Sequence, residues 1–408
     1  MDFESLSEKL RRMGVQIGVQ KPLETSRQTR KPIETVVPGR EYQTNFGSLF
    51  SLGHSYSQDY LHGRQPVLPQ HPICGLARWS RVPELEQKSL DQFIFLDTET
   101  TGLSGGTGTM AFMVGVARFH KDSLAMEQFF LRNPAEEAAL LAGLEEFCDG
   151  MAAVVTYNGK SFDIPILNTR YILQGFTSPF EDLPHLDLLH LTRRIWRARL
   201  EQCNLGNIEQ QILQLHRAGD EVPGYLVPEY YAQYLHDGDA EPLRGIFYHN
   251  EQDVLSLAAL FALFADMLDA PTAWENSSAK DLTSLGHLLE RMGEVDSAVS
   301  LYQKGAQAAE SARTKLEPLL AQAKLHKRHG EYSRALPLWE QAAADGSLEA
   351  LEELAKYYEH NAHQLEKALD YTNQALQRLE TFSESAETTQ AFRHRQKRLT
   401  AKLQRRQA

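Results

Sequence analysis

The sequence lacks the features of membrane and secreted proteins. No apolar run reaches the ~20 residues needed to cross a bilayer. The start, MDFESLSEKL, does not show the charged-then-apolar pattern of a secretory signal. Only three cysteines occur, Cys74, Cys148 and Cys203, and none belongs to a CxxC pair. The cysteine pattern excludes a disulfide framework and a cysteine-rich zinc site. A cytoplasmic protein with no membrane partner is predicted.

Positive charge is also scarce. The 408 residues carry a formal net charge of −12, which excludes a uniformly basic surface that coats nucleic acid. Any contact with nucleic acid must therefore be local. Arg193, Arg194 and Arg197 fall on one arc of a predicted helix and could contact phosphates; a solvated helix face is the alternative. The segment Phe392 to Arg406 carries seven Lys or Arg and no acid, and it could bind nucleic acid or cap neighbouring helices.

Apolar patterns predict an α/β domain in the middle of the chain. The run Phe93–Leu96 is continuously apolar, as expected of a strand buried on both faces. Residues 110–119, 124–131 and 152–156 are predicted as further strands. Residues 136–147 are rich in Ala, Leu and Glu and are predicted to form a helix. A chain of 408 residues has room for two or three such domains.

Four carboxylates occur where such a fold could gather them. Asp97 and Glu99, in FLDTETTGL, follow the first strand, at the end where open α/β sheets bind ligands. Asp163 follows an Asn-Gly turn in TYNGKSFDIPIL, and Asp253 lies in the apolar-periodic YHNEQDVLSL. Converging carboxylates repel each other unless divalent cations lie between them. Mg²⁺ and Mn²⁺ prefer such oxygen ligands, and two of these ions together can drive phosphodiester hydrolysis.

Each acid also has an ordinary structural explanation. An Asp-x-Glu pair after a strand is usually part of a solvated loop. Asp163 alone could be a helix N-cap, and Asp253 alone could be a paired or exposed helical acid. The joint pattern and its flanking residues are what favour a metal site.

The motifs LDTETTGL, YNGKSFDIP and HNEQDVLSL resemble, in this order, those of the DEDD, or DnaQ-like, exonucleases of the ribonuclease-H-like superfamily. The chain resembles in particular the YprB-type subgroup, in which this domain is joined to tetratricopeptide-like repeats. The resemblance implies that two Mg²⁺ or Mn²⁺ ions bind to Asp97, Glu99, Asp163 and Asp253. It implies 3′-to-5′ hydrolysis of single-stranded DNA or RNA ends. Candidate substrate contacts among the flanking residues are Thr100, Leu103, Asn158 and Phe162.

The residue that orients the attacking water departs from the family pattern. The superfamily has a tyrosine four residues before the last aspartate or a histidine five before it, whereas here His249 is four before and Tyr248 five before. Residues four apart on a helix share a face. His249 is therefore predicted to face the metals and act as the base, with Tyr248 in the core. The alternative is that His249 only hydrogen-bonds a neighbour.

Two further polar residues, His185 and Asp187 in HLDLLHL, precede the arginine-rich helix. Two interpretations stay open. Asp187 could cap the helix that follows, or both side chains could lie in or behind the metal site.

The C-terminal third contains a repeated pattern. RMGEVDSAVSLYQKG and RHGEYSRALPLWEQA are similar, with Ala298 and Ala335 aligned 37 residues apart, and Ala368 follows 33 residues later. Aromatic residues accompany them at Tyr302, Trp339 and Tyr371. The spacing resembles that of tetratricopeptide repeats, whose paired helices form a solenoid that binds a protein partner; bracing the nuclease is the alternative. A chain ending near Asp269 is predicted to retain basal hydrolysis if it stays soluble.

The predicted fold class is an α/β ribonuclease-H-like domain, with a mixed central sheet flanked by helices, followed by an all-α tetratricopeptide-like solenoid. The predicted domains are an N-terminal arm and packing segment (1–90), the exonuclease domain (91–270), the repeats (275–380) and a basic C-terminal helix or tail (381–408). Residues 42–82 are expected to form loops or short strands packed on the nuclease. Alternative functions are a structure-selective endonuclease with the same metal site and a protein-binding scaffold with weak nuclease activity.

Overall fold

A computed structural model describes residues 30–102, 107–217, 222–270, 274, 277–382 and 386–407. The sequence predicts a short helix and a flexible arm over about the first 45 residues, and most of that segment lies outside the described residues. Leu103 also lies outside them. None of the described helices combines the length and the hydrophobicity that a bilayer-spanning segment requires.

The centre of the described N-terminal region is a mixed seven-stranded sheet in the order β1-β2-β7-β6-β5-β8-β9. Its strands are β1 (Arg40–Thr44), β2 (Gly47–Ser57), β5 (Phe93–Thr100), β6 (Ala111–His120), β7 (Ser123–Phe130), β8 (Ala153–Thr156) and β9 (His185–Asp187). A separate hairpin consists of β3 (Leu61–His62) and β4 (Gln65–Pro66). β8 is parallel to β5 and to β9, and the remaining pairs are antiparallel.

Helices cover both faces of this sheet. They are α1 (Ile33–Val36), α2 (Cys74–Ser80), α3 (Glu137–Phe147), α4 (Asp163–Leu173), α5 (Leu188–Trp196), α6 (Leu205–Ile208), α7 (Val227–Asp237) and α8 (Arg244–Asp269). A π-helical turn, Glu209–Leu213, follows α6. Short 3-10 turns are formed by Pro83–Gln87, Leu90–Gln92, Pro134–Glu136, Gly224–Leu226 and Glu241–Leu243.

Burial on two faces explains the apolar run in β5. Phe93 and Phe95 pack in the core that contains α8, whereas Ile94 and Leu96 pack in the core on the other side, with α3 and α4. Since successive strand residues point to opposite faces, both faces of β5 must be apolar. The predicted α/β fold with a mixed sheet is confirmed.

The N-terminal segment is more closely integrated than the sequence predicts. β2 pairs with β7 along its length, from Phe50 opposite Phe130 to Ser57 opposite Ser123, and β1 pairs with β2. Residues 40–57 therefore extend the central sheet instead of packing on the outside of a domain that begins at residue 91.

The described chain continues as a helical region. Its helices are α9 (Ala279–Arg291), α10 (Val295–Gln307), α11 (Ala312–Arg328), α12 (Tyr332–Ala344), α13 (Leu348–His360), α14 (Leu365–Phe382) and α15 (Ala386–Gln407). The repeated residues Ala298, Ala335 and Ala368 are all fully buried, on alternate helices α10, α12 and α14. A Cβ atom at Gly286 would lie 2.7 Å from the Tyr302 ring, so α9 and α10 cross closely. An all-helical region after the sheet domain is confirmed.

The first three helices of this region, α9 to α11, share a core with the sheet domain. Four leucines of α9 belong to the same buried cluster as Phe93 and Phe261: Leu282, Leu285, Leu288 and Leu289. Helix α9 packs on α5, and Arg199 Nε lies 2.8 Å from Asp281 Oδ2. Packing is therefore continuous across the predicted boundary near residue 270, as expected of a structural brace.

The basic C-terminal helix α15 packs against the helices before it. Phe392 and Leu399 are buried. The buried carboxylate of Glu359 on α13 accepts hydrogen bonds from Arg398 Nη2 at 2.7 Å and Lys402 Nζ at 2.8 Å. Part of the basic charge is thus paired within the protein, which favours the capping interpretation of this helix.

Candidate metal and nuclease site

The strand and the two helices bring the four predicted acids together. Asp97 and Glu99 lie at the end of β5, Asp163 is the first residue of α4, and Asp253 lies within α8. Burial raises the pKa of Asp97 and of Glu99 well above its ordinary range, and the charges of Asp253 and Asp163 raise both further. The acids are therefore close enough to repel one another strongly.

Asp163 is positioned by the turn after β8. Asn158 adopts a left-handed conformation with φ 67°, and a Cβ at Gly159 would lie 2.5 Å from Thr156 Oγ1. The buried carboxylate of Asp187 accepts from Asn158 N at 2.8 Å and Lys160 N at 3.2 Å. The predicted Asn-Gly turn is thus held by an acid from the next strand.

Both interpretations of Asp187 describe part of what it does. Its Oδ1 also accepts from Leu189 N at 3.1 Å, so Asp187 caps α5 while it holds the turn that precedes Asp163. His185 lies behind the same turn, with its Nε2 at 2.7 Å from Thr156 Oγ1. The charge of Asp187 also raises the pKa of Asp163, so Asp187 lies directly behind the acid cluster.

Asp163 is not the N-cap of its helix, because Phe162 occupies that position. Its Oδ1 accepts from Thr98 Oγ1 at 2.5 Å and Thr98 N at 3.1 Å. Burial raises the pKa of Asp163 to about 6. A carboxylate in the first turn of a helix is favoured by the helix dipole, which offsets part of this burial cost.

Asn250 is a site residue that sequence reasoning missed. Its Nδ2 donates to Asp97 Oδ2 at 2.9 Å, and its Oδ1 accepts from Gln128 Nε2 at 2.9 Å. Gly115 makes room for it, since a Cβ there would lie 2.1 Å from Asn250 Oδ1. Helical spacing could have identified Asn250 from the sequence, because it lies three residues before Asp253 and therefore on the same helix face.

His249 lies beside Asp253, as the spacing on the helix predicts. Its Nε2 is 3.4 Å from Asp253 Oδ2, and its Nδ1 is 3.0 Å from Arg217 Nη1. Tyr248 is only half-buried, and its charge influences the pKa of Tyr60. The prediction that Tyr248 lies in the core is wrong: Phe247 and Asn250 of the same helical turn are buried, whereas Tyr248 lies at the edge of the core, near Tyr60.

Arg217 and Glu209 also reach the acid cluster, and no sequence pattern points to either residue. Arg217 Nε donates to Glu209 Oε2 at 2.7 Å, and Arg217 Nη2 donates to Glu209 Oε1 and Asp253 Oδ1. The side chains are 8% and 2% exposed respectively. A cation is therefore buried against one of the predicted metal ligands.

The chemistry of the four acids fits hard divalent cations. They supply only carboxylate oxygens, the ligands that Mg²⁺ and Mn²⁺ prefer, and their mutual repulsion would be relieved by positive charge. Within the described part of the chain, no group of three or more His, Cys, Asp or Glu side chains is arranged to hold a metal ion. Asp163 is bonded to Thr98 and Asp253 to Arg217. The four carboxylates fit Mg²⁺ or Mn²⁺ as ligands, while Asp163 and Asp253 are bonded to groups of the protein.

A cavity of about 240 Å³ opens beside the acids. Glu99, Asp163, Thr100 and Phe162 line it, and the Phe162 ring is exposed although it is large and apolar. Two of the predicted substrate-binding residues, Thr100 and Phe162, therefore lie next to the acid cluster.

A second cavity, of about 770 Å³, lies at the turn after β8. Asn158, Arg193 and Arg197 line it. Arg194 lines neither cavity; burial and the nearby charges of Arg291 and Arg81 lower its pKa. The predicted arginine arc is thus divided, with two members beside the Asn158 turn and one turned toward other basic residues.

Comparison with known proteins agrees with this architecture. Residues 94–265 match the family model described as RNase_H superfamily, a range that begins in β5, ends in α8 and includes all four acids. The uncharacterized protein YprB of Bacillus subtilis (strain 168) is 33% identical over 299 residues, which is 70% of this chain and 69% of YprB. The chain is therefore a homologue of YprB, and residues 94–265 form a domain of the ribonuclease H superfamily.

Proposed function

We propose that the protein is a metal-dependent nuclease of the DEDD, or DnaQ-like, type that removes nucleotides from the 3′ ends of single-stranded DNA or RNA. The observation that carries this proposal is that four carboxylates meet at the end of β5. Asn250 of the Asp253 helix bonds to Asp97, and Thr98 of β5 bonds to Asp163. Asp97, Glu99, Asp163 and Asp253 would hold two Mg²⁺ or Mn²⁺ ions. Such ions activate water and stabilise the leaving oxygen in phosphodiester hydrolysis.

The two cavities support a path for a single strand. The cavity at the acids would take the terminal nucleotide, with its base against the exposed ring of Phe162, because aromatic rings stack with any base. The cavity at Asn158 would take the preceding phosphates, with Arg193 and Arg197 as their partners. Thr100 would contact the terminal nucleotide, and Leu103 remains a proposed contact from the sequence.

His249 is proposed as the base that accepts a proton from the attacking water. Its place beside Asp253 supports this role. We expect His249→Ala to lower kcat by about 10² to 10⁴ with little change in substrate affinity, whereas Tyr248→Phe should have a mild effect. Single-turnover rates and binding titrations would measure both. A larger loss in Tyr248→Phe than in His249→Ala would rule out His249 as the base.

Arg193 and Arg197 are proposed to bind phosphates. Replacing both with Ala should weaken single-strand binding. It should also reduce the slope of log affinity against log salt by about 1.4, since each phosphate contact on a single strand contributes about 0.7. Arg194→Ala provides the matched control, because Arg194 lies on the same helix and lines neither cavity. Equal slopes in the double variant and the wild type would remove this surface from the substrate path.

The proposal is tested by incubating the pure protein with Mn²⁺ and labelled single strands. We expect mononucleotides to leave first from a 3′-labelled end, in either DNA or RNA, and EDTA to stop the reaction. A circular single strand should stay intact. Cleavage of the circle would show an endonuclease. If no substrate is cleaved, the alternative function as a protein-binding scaffold is favoured.

The helices α9–α14 are proposed to be tetratricopeptide-like repeats that bind a protein partner. The burial of Ala298, Ala335 and Ala368 at repeated positions supports this proposal. A cytoplasmic location is also proposed, since the three cysteines are free thiols.

A further inference from the structure

The acid cluster contains a cation of its own. Arg217 is nearly excluded from solvent, and a guanidinium stays protonated in proteins. Its Nη2 donates to Asp253 Oδ1, so one positive charge is placed directly on an acid proposed to bind metal. This contact lowers the repulsion within the cluster in the same way as a bound ion would.

Glu209 anchors this arginine independently of Asp253. Arg217 Nε donates to Glu209 Oε2 at 2.7 Å, and Ser256 Oγ donates to Glu209 Oε1 at 2.5 Å. His62 Nε2 lies 2.7 Å from Ser256 Oγ and extends this buried network toward β3. The anchor belongs to the π-helical turn, a geometry that often marks functional sites. Arg217 can therefore release Asp253 while it stays paired with Glu209.

Two groups that the reaction needs are engaged by the same side chain. Asp253 Oδ1 accepts a hydrogen bond from Arg217, and His249 Nδ1 accepts one from Arg217 Nη1. A divalent ion on Asp253 and a guanidinium in contact with the same carboxylate would repel each other. The contact between Arg217 and Asp253 is therefore incompatible with a metal ion bound to Asp253.

We propose that Arg217 is an internal counter-cation that occupies the acid cluster in the metal-free protein and that must leave Asp253 before a metal can bind there. This inference rests on the proposed metal-dependent function. It makes Arg217 a competitor of the metal, so the affinity for metal is set partly by how strongly Glu209 draws the arginine away from Asp253.

Mn²⁺ binding to the full-length protein, followed by calorimetry and by electron paramagnetic resonance, tests this inference. Arg217→Met removes the charge and keeps much of the volume, so the Kd for Mn²⁺ should fall by about tenfold or more. Arg244→Met is the matched control: it removes an arginine from the same helix as Asp253, but one that is 55% exposed. The control should bind Mn²⁺ as the wild type does.

A second variant changes the affinity in the opposite direction. Glu209→Gln removes the carboxylate that pairs with Arg217. Asp253 is then the remaining anionic partner of Arg217 in this cluster and binds it more strongly, so the Kd for Mn²⁺ should rise. The melting temperature in EDTA should fall in Arg217→Met, and Mn²⁺ should raise it by more than in the wild type. If Arg217→Met binds Mn²⁺ no more tightly than the wild type, or if both variants shift Kd in the same direction, the competition is refuted. If the wild type and Arg217→Met bind no Mn²⁺ at all, the proposed metal-dependent function itself fails.

Discussion

Asp97→Asn is expected to abolish hydrolysis at every Mn²⁺ concentration while the protein folds as before. Asn at this position can still accept the hydrogen bond that Asn250 Nδ2 gives to Asp97 Oδ2, so the local structure is retained. The change removes one of four charges that repel each other, and the melting temperature in EDTA should be at least that of the wild type. What is lost is a ligand charge that the metals require.

Asp149→Asn serves as the control, because it removes an exposed acid between α3 and β8, away from the cluster. Its hydrolysis and its response to Mn²⁺ should equal those of the wild type. Measurable hydrolysis by Asp97→Asn, or by the wild type in EDTA, would contradict a two-metal mechanism. A melting temperature well below that of the wild type would mean instead that Asp97 has a structural role.

The sequence predicted those parts of the site that depend on local patterns. The apolar run Phe93–Leu96 requires a strand buried on both faces, and its end places Asp97 and Glu99 at the edge where the sheet can bind ligands. The Asn158-Gly159 turn and the periodic segment around Asp253 are equally local signals. Such patterns place each acid on its element without knowledge of the tertiary structure.

The residues that the sequence did not predict depend on long-range packing. Arg217 reaches Asp253 from a segment 36 residues earlier. It is held there by Glu209 of the π-helical turn. That turn is bonded to the β3–β4 hairpin, where Arg64 N donates to Leu213 O at 2.9 Å. The pairing of β2 with β7 likewise joins residues that are far apart in the chain. No periodicity within one segment encodes such contacts.

Removal of the helical region after Asp269 is expected to leave little soluble protein, which is the outcome that the bracing alternative predicts. Four leucines of α9 lie in the core of the sheet domain, and burial of each stabilises the fold by about 1.5 to 3 kcal/mol. Their loss together is comparable with the ~5 to 15 kcal/mol that holds a domain folded. Removal of α9 would also expose the apolar face of α5. Expression yield, melting temperature and Mn²⁺-dependent hydrolysis would measure the effect.

A chain ending at Gly330 separates bracing from partner binding. It retains α9, α10 and α11, and with them every C-terminal residue that belongs to the core of the sheet domain. The cost is exposure of Leu319 and Ala323, which pack against the later helices. We expect this chain to fold and to hydrolyse single strands at a rate near that of the full protein. If it is as insoluble as the chain ending at Asp269, the later helices are also part of the brace. If instead the chain ending at Asp269 is soluble and active, the sheet domain does not need the core that it shares with α9, and α9 is not a brace.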